Sequence, residues 1–414
     1  MPRAQLPEPP DRDGPAGPAD GEDLSSTLAA VGRAAGLHSI GVTTAEVFEE
    51  TRAHLLERRR QGLHATMQFT YRNPERSTDP TRILPGARSL VVGAWSYRQS
   101  DPDPDPEPDP PRPDAEARPQ GSVARYARFD HYTALRQALT PIAAHLHGLG
   151  WRATVILDDN ALVDRAAAHR AGLGWFGKNS LLLIPEAGSW FVLGSVVTDA
   201  PLRPTLAAPP AVHAVGCGSC TRCMTACPTG ALVSPGVVDA RRCLAWLVQA
   251  PGSFPEEYRE ALGNRIYGCD ECQQVCPINK VADRRDPPPP GVPPHLTDGH
   301  TGGHGTDGHA IGGHTDGPQV DLLDLLEATD EELLLARRRW YIADRDPRYL
   351  RRNALVALGN VGDGRNPATE VVLRHWLAAE DPLLAEHARW AASRLGRADL
   401  VATDPDVLPD AATL

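Results

Sequence analysis

All eight cysteines of the chain lie between residues 217 and 276, and their spacing constrains the fold more than any other feature. Cys217, Cys220, Cys223 and Cys227 read C-x2-C-x2-C-x3-C and run into Pro228. Cys269, Cys272 and Cys276 repeat the end of that pattern and run into Pro277, with Cys243 standing between the two groups. Two 4Fe–4S clusters need four thiolates each, so no cysteine is left over. In such runs the cysteine before proline serves the other cluster. That rule assigns Cys217, Cys220, Cys223 and Cys276 to one cluster, and Cys243, Cys269, Cys272 and Cys227 to the second. Three other readings compete: a disulfide framework, two zinc sites, or separate buried thiols. Disulfides need an oxidising compartment, whereas residues 1–24 are rich in Pro, Asp and Gly and show neither an apolar signal core nor a twin arginine. Zinc pairs leave longer gaps, mix in histidine and do not call for Cys-Pro endings. The cluster reading implies a cytoplasmic, oxygen-sensitive chain that moves electrons.

A chain of 414 residues has room for two or three domains. It contains no long unbroken apolar run, so no membrane span is expected. Its 40 prolines and 37 glycines are too many for one compact fold unless they gather in linkers. They gather in two places. Residues 100–120 alternate acid and proline, which suits neither a helix interior nor a ladder strand and predicts a disordered insertion. Residues 286–318 form a Pro/Gly linker carrying His295, His300, His304, His309 and His314. Those histidines read as solvated low-complexity sequence, with weak divalent-metal binding as the second reading. Residues 1–23 predict a disordered tail. A net charge of −11 excludes a globally basic nucleic-acid binder but leaves room for a local basic face.

Helical and strand periodicities alternate from residue 24 to about 205, which predicts an α/β domain. Helices are expected over 25–35, 45–60, 132–149 and 161–171, and strands over 88–95 and 153–157. The last strand runs into Asp158, Asp159 and Asn160, a turn at a strand's carboxyl end, where open α/β sheets place ligands. Helix N-capping is the alternative role for all three residues. The cysteine segment, 206–285, predicts a ferredoxin-like two-cluster domain with helices over 240–249 and 255–262. Residues 319–400 are helical. Asp346-Pro347 opens a segment closing on Leu358-Gly359, and Asp381-Pro382 opens another closing on Leu395-Gly396, a recurrence that suits a HEAT-like helical pair. The fold class expected is an α+β/α multi-domain chain. Arg348, Arg351 and Arg352 share one turn, either as a solvated face or as a phosphate contact.

The stretch ILDDNALVDRAAAHRAGLGWFGKNSLLLIPEAGSWFVLGSVVTDAPL, residues 156–202, resembles the signature of the epoxyqueuosine reductases. The likeness continues through CGSCTRCMTACPTGAL, DARRCLAWL and GNRIYGCDECQQVCPIN, and resumes at LRRNALVALGN. It implies a cobalamin- and iron–sulfur-dependent enzyme that removes the epoxide oxygen from epoxyqueuosine at the wobble position of tRNA, giving queuosine. The reaction takes two electrons and two protons and releases water. By place in the motif, Asp158 is implied as proton donor. A free aspartate has a pKa of about 3.9, so burial against the corrin would have to raise it. The resemblance further implies cobalamin contacts from Arg76, Arg125, Tyr126, Asp158, Arg165, Trp175, Lys178, Asn179, Ser180 and Ala245. Arg351, Arg352 and Asn353 are implied for tRNA binding. The family's Asp-Tyr-His is replaced by Asp130-His131-Tyr132, so no role is carried to those residues. The expected partners are tRNA and an electron donor, with the protein itself a monomer.

Two other classes compete: a reductive dehalogenase-like enzyme, which would carry an export signal, and a ferredoxin-like carrier, which would bind no corrinoid. A tRNA-binding protein with purely structural clusters would show affinity without turnover.

Overall fold

The computed structural model describes residues 21–99, 118–207, 215–285 and 317–401. Most of the expected N-terminal tail, most of the acidic insertion and nearly all of the His/Gly linker lie outside the described residues, while the tail's last residues, from Gly21, belong to the first helix. Among the described residues no helix is long and apolar enough to cross a membrane.

The core sheet has four strands in the order β1 (Ser39–Thr44), β2 (Ser89–Ser96), β7 (Phe191–Thr198) and β4 (Ala153–Leu157). β2 and β7 sit in the middle and are buried along almost their whole length. Both faces are apolar, because helices cover both sides. Val91 and Val196 face Leu28, Leu135, Leu139 and Ile142 of the helices Gly21–Ala34 and His131–Gly148. Their neighbours Leu90, Val92 and Val197 face the opposite way, onto Leu55, Leu162 and Ala167. The side-chain period of two along a strand thus builds two cores from one sheet. Gly93 pairs with Gly194 across β2 and β7, and a Cβ at Gly194 would stand 2.9 Å from atoms of Leu139 and Leu157. The helix therefore seats close to the sheet because those two positions carry no side chain.

The α/β architecture is as expected, but every strand pair in this sheet is antiparallel. The parallel-sheet rule that places ligands at a switch point does not apply here. Two helix boundaries also differ. The stretch expected from residue 45 becomes helical only over Glu49–Arg60, because Phe48 is buried and its ring lies under the Arg170 guanidinium at 3.4 Å. The stretch expected from residue 161 is helical only over Asp164–Arg170. Asp159 accepts a hydrogen bond from the Ala161 amide at 2.8 Å in a turn ahead of that helix, whose N-cap is Val163, so none of Asp158, Asp159 or Asn160 caps it.

A second sheet ties the chain together. β3 (Gln120–Val123) lies between β10 (Arg265–Tyr267, parallel) and β11 (Gln319–Asp321, antiparallel). Gln120, expected inside the disordered insertion, instead opens the central strand, and Arg118 pairs with Asp321 at 2.6 Å. The cysteine segment also carries the small hairpin β8 (Leu232–Ser234) and β9 (Val237–Val238). The helix expected over 240–249 shortens to Leu244–Leu247, with Cys243 at its N-cap. The helix expected over 255–262 runs Glu256–Leu262. At the C-terminus, helices Arg348–Val361, Pro367–Leu377 and Pro382–Arg394 pack together, with Asn366 and Asp381 capping the second and third.

Replacing Gly194 by valine should cost about 1–3 kcal/mol of stability through overpacking against Leu139 and Leu157. Chemical denaturation of the variant beside the wild type measures it.

Candidate functional site

One cavity of about 1810 Å³ opens where the core sheet, the cysteine segment and the C-terminal module meet. Pockets for small ligands usually run to about 300–1,000 Å³, so this one has room for a far larger group. Asp158 lies on its wall at the end of β4, with a left-handed backbone, φ 49°. Aspartate is among the few residues that tolerate that conformation, and strain of this kind gathers at functional sites. Its carboxyl is open to the cavity, yet surrounding protein raises its pKa above the ordinary value, and the Asp159 charge adds to the effect. Asp164, on the same wall, is raised further, first by burial and then by Asp158. Its Oδ1 is buried without a hydrogen-bond partner among the described residues. Tyr132 and Tyr97 also line the cavity and are held neutral, mainly by burial.

The hairpin strands β5 (Trp175–Phe176) and β6 (Leu182–Leu183) bring the Gly-Lys-Asn-Ser turn to the cysteines. Lys178 donates to the Gly218 carbonyl at 2.7 Å, and Asn179 donates to the Cys272 carbonyl at 3.5 Å. The turn therefore touches both cysteine groups. Arg165 donates to the Ser180 carbonyl at 3.3 Å, and Ser180, with φ 64°, keeps a buried hydroxyl without a partner among the described residues.

The eight thiols fall into two neighbourhoods. Cys223 is raised by burial and then by Cys217, Cys276 and Cys220. Cys243 is raised by burial, with Cys227 contributing; Cys269 is pushed up to about 11 by burial, with Cys243 contributing. Cys272 is raised well up by burial and then by Cys269 and Cys243. Cys272 also feels Cys223, so the two neighbourhoods adjoin one another. Among the described residues no three metal-binding side chains close tightly enough around a point to hold a single ion. The two sets are not equivalent towards the cavity. Cys227, Cys243, Cys269 and Cys272 all line it, whereas Cys217 is the sole lining member of the other set.

Of the residues expected to hold a cofactor, Tyr126, Asp158, Arg165, Lys178, Asn179, Ser180 and Ala245 line the cavity. Arg76, Arg125 and Trp175 do not. Arg76 is exposed on the short helix Pro74–Ser77. Arg125 is buried with its guanidinium 4.4 Å from the Trp190 ring centroid. The Trp175 ring packs against Gly216, where a Cβ would stand 2.2 Å away, so it backs the first cysteine loop. The three residues expected to bind tRNA are a larger correction. Arg351, Arg352 and Asn353 are 7%, 1% and 0% exposed, and their polar atoms are turned inward, so none presents a charge to phosphate.

Residues 216–279 match the family described as a 4Fe-4S double cluster binding domain. The epoxyqueuosine reductase of Burkholderia pseudomallei is 33% identical over 418 residues, which cover 92% of this chain and 96% of that protein. The chain belongs to the epoxyqueuosine reductases. A crystal structure of a family member with an epoxyqueuosine-modified tRNA-Tyr stem loop superposes with a TM-score of 0.72 at 29% identity, covering 91% of each chain. The Bacillus subtilis member, solved with its catalytic aspartate loop swung out of the active site, gives 0.71 at 27% identity and covers 94% of this chain and 96% of that one.

Asp164, Tyr132, Trp246 and Tyr341 line the cavity but escaped the family reading. Asp164 carries a usable signal, a carboxylate next to Arg165 in the same motif, whereas Tyr341 reaches the cavity from a segment whose sequence departs from the family pattern. A carboxyl whose folded pKa is raised lowers stability as pH rises from its unfolded to its folded value. Asp164→Asn should therefore be more stable than the wild type at neutral pH, with the gain fading as pH falls towards about 4. Denaturant titrations across that range test the sign.

Proposed function

We propose that this protein is a cytoplasmic, cobalamin- and iron–sulfur-dependent enzyme that reduces epoxyqueuosine to queuosine at the wobble position of tRNA. The observation that carries the reading is the convergence, on one large cavity, of Asp158 and all four cysteines of the second set. The cavity fits a corrinoid in volume, and its wall holds polar atoms without a partner among the described residues, Ser180 Oγ and Trp246 Nε1 among them, suited to a ring rimmed with amides. Cobalamin, when bound there, supplies low-valent cobalt able to open a strained ring.

The chain's own residues account for the remaining requirements. Both C–O bonds of the epoxide break, an alkene remains and the oxygen leaves as water, which takes two electrons and two protons. Asp158 holds a proton at its carboxyl and gives it to the departing oxygen; its raised pKa keeps it protonated to higher pH than a free aspartate. The Asp159 charge helps the carboxyl keep its proton, while burial disfavours ionisation of Asp164 and Tyr132 on the same wall. Electrons reach the cavity through the second cysteine set, which faces it, after entry at the first, which stands back. Lys178 and Asn179 fix the distance between the two.

The substrate base enters past an aromatic lip. Phe69 and Trp246 meet edge to face at 5.9 Å, Phe69 and Tyr341 at 5.0 Å, and Tyr341 is 41% exposed. Tyr341 sits on the approach to the HEAT-like helices, and its amide donates to the Tyr267 hydroxyl at 2.7 Å, which fixes it. A base turned out of an anticodon loop finds a stacking surface there.

Anaerobic turnover of epoxyqueuosine-containing tRNA, with reconstituted protein, cobalamin and a chemical reductant, is the test. Queuosine should form only with cobalamin present, and Asp158→Ala should lower the rate by about 10²–10⁴-fold with iron content unchanged. Wild-type protein that holds its clusters and cobalamin yet makes no queuosine would overturn the reading. Stacking on an aromatic ring is worth roughly 1–3 kcal/mol, so Tyr341→Ala should raise KM by about five- to a hundredfold while kcat changes much less.

A further inference from the structure

Arg352 and Asn353 sit in the helix Arg348–Val361 of the C-terminal module, but their side chains are spent on the cysteine segment. The Arg352 guanidinium donates to the carbonyls of Leu247 at 3.0 Å, Ala250 at 2.8 Å and Gly252 at 2.5 Å. It is steadied by the Asn353 Oδ1 at 2.9 Å. Asn353 in turn donates to the carbonyls of Val248 at 2.8 Å and Ile266 at 3.1 Å.

Those carbonyls belong to the two stretches that carry Cys243 and Cys269. Cys243 caps the turn Leu244–Leu247, and its own carbonyl accepts from the Leu247 amide at 2.9 Å, so Arg352 grips the far end of the turn that Cys243 opens. Ile266 lies in β10, three residues ahead of Cys269. Between Cys243 and Cys269 the chain runs through a loop and the helix Glu256–Leu262, so sequence proximity does not fix their separation. The two side chains on one rigid helix do. Among the described residues all of Arg352's hydrogen-bond partners are oxygen acceptors without a formal charge, and the rings of Phe254 and Tyr349 lie 5.8 Å and 5.2 Å from it. A buried guanidinium without a carboxylate is costly, and what it obtains here is a three-way fork that a shorter or unforked donor cannot reproduce.

We propose that Arg352 and Asn353 are positioning residues for the second cluster: from the helical module they hold the Cys243 and Cys269 segments at the separation that cluster assembly requires. This rests on the reading that those two cysteines serve the same cluster. It gives the C-terminal module a part in building the redox centre that is separate from any contact with tRNA.

The test uses the full chain, reconstituted anaerobically, with iron per chain, the EPR spectrum of the reduced protein and the rate of iron loss to a chelator as readouts. Wild type should hold about eight irons in two clusters. Arg352→Met and Asn353→Ala should lose the second cluster, or release its iron at least about tenfold faster with an altered signal, while the first cluster's signal persists. Arg352→Lys, which keeps the charge but not the fork, should fall between. Arg351→Met is the control: Arg351 is also buried on this helix but donates to Asp330 and to the Ala328 carbonyl within its own module, so the clusters should be unaffected. Should Arg352→Met not fold, Asn353→Ala and Arg352→Lys decide. Wild-type spectra and release rates in those variants would overturn the proposal, as would equal cluster loss in Arg351→Met. A wild type with only one cluster would defeat the ligand reading itself, and the proposal with it.

Discussion

Four residues, Gln120–Val123, hold this molecule together. β3 has two edges, and each is taken by a different part of the chain: β10 from the cysteine segment on one side, β11 from beyond the His/Gly linker on the other. The residues that follow β3 feed straight into the wall of the cavity, since Ala124 donates to the Tyr267 carbonyl and Tyr126, in the short helix Arg125–Arg128, lines the space itself. Gly121 is what permits the close approach: a Cβ there would stand 2.4 Å from Ile266 and 2.7 Å from Leu322. From that join runs a single core in which Val123, Ile266, Val320 and Leu350 are all buried. Backbone pairing of this kind fixes relative position more firmly than side-chain contact alone, because the ladder specifies register as well as proximity. A cavity assembled from three modules needs such a join.

What the sequence reveals about this site depends on whether the signal is local. Cysteine spacing is local chemistry, so a double 4Fe-4S segment could be read directly, and residues 216–279 match the double cluster family. Strands β2 and β4 were legible because their apolar runs are bounded by turn residues. Sheet direction was not, since alternation of helix and strand does not say which way a strand enters. The first turn of the Glu49–Arg60 helix was misjudged because the docking of Phe48 is a tertiary fact. β3 was hidden at the end of an acidic, proline-rich stretch, where composition speaks for the neighbours and not for Gln120. Arg351, Arg352 and Asn353 show the same limit. Charged residues on one turn suit an outward-facing helix, yet this helix is buried from Tyr349 to Gly359, and the Arg352 and Asn353 side chains donate inward.

The cavity wall accepts a cost for its chemistry. Asp158 combines a left-handed backbone with a carboxyl whose charge is disfavoured, and Asp164 adds a second carboxyl whose Oδ1 lacks a protein partner among the described residues. In a site without catalytic duty either residue would be better replaced by asparagine, which keeps the shape and sheds the titration. Carboxyls held protonated beside the cavity are what proton delivery to a departing oxygen requires.

The proposed ligation also crosses over. Cys227 follows the first three cysteines in sequence but joins the second set, and Cys276 follows the last three but joins the first. Each cluster then staples the two halves of the segment to one another, so neither half can order around its own cluster alone. Lys178 and Asn179 contact both halves, and the Arg352–Asn353 pair contacts the stretches that carry Cys243 and Cys269. Electron transfer falls steeply with distance, so contacts from the Lys178–Asn179 turn and from the Arg352–Asn353 helix bear on the spacing that electron passage needs.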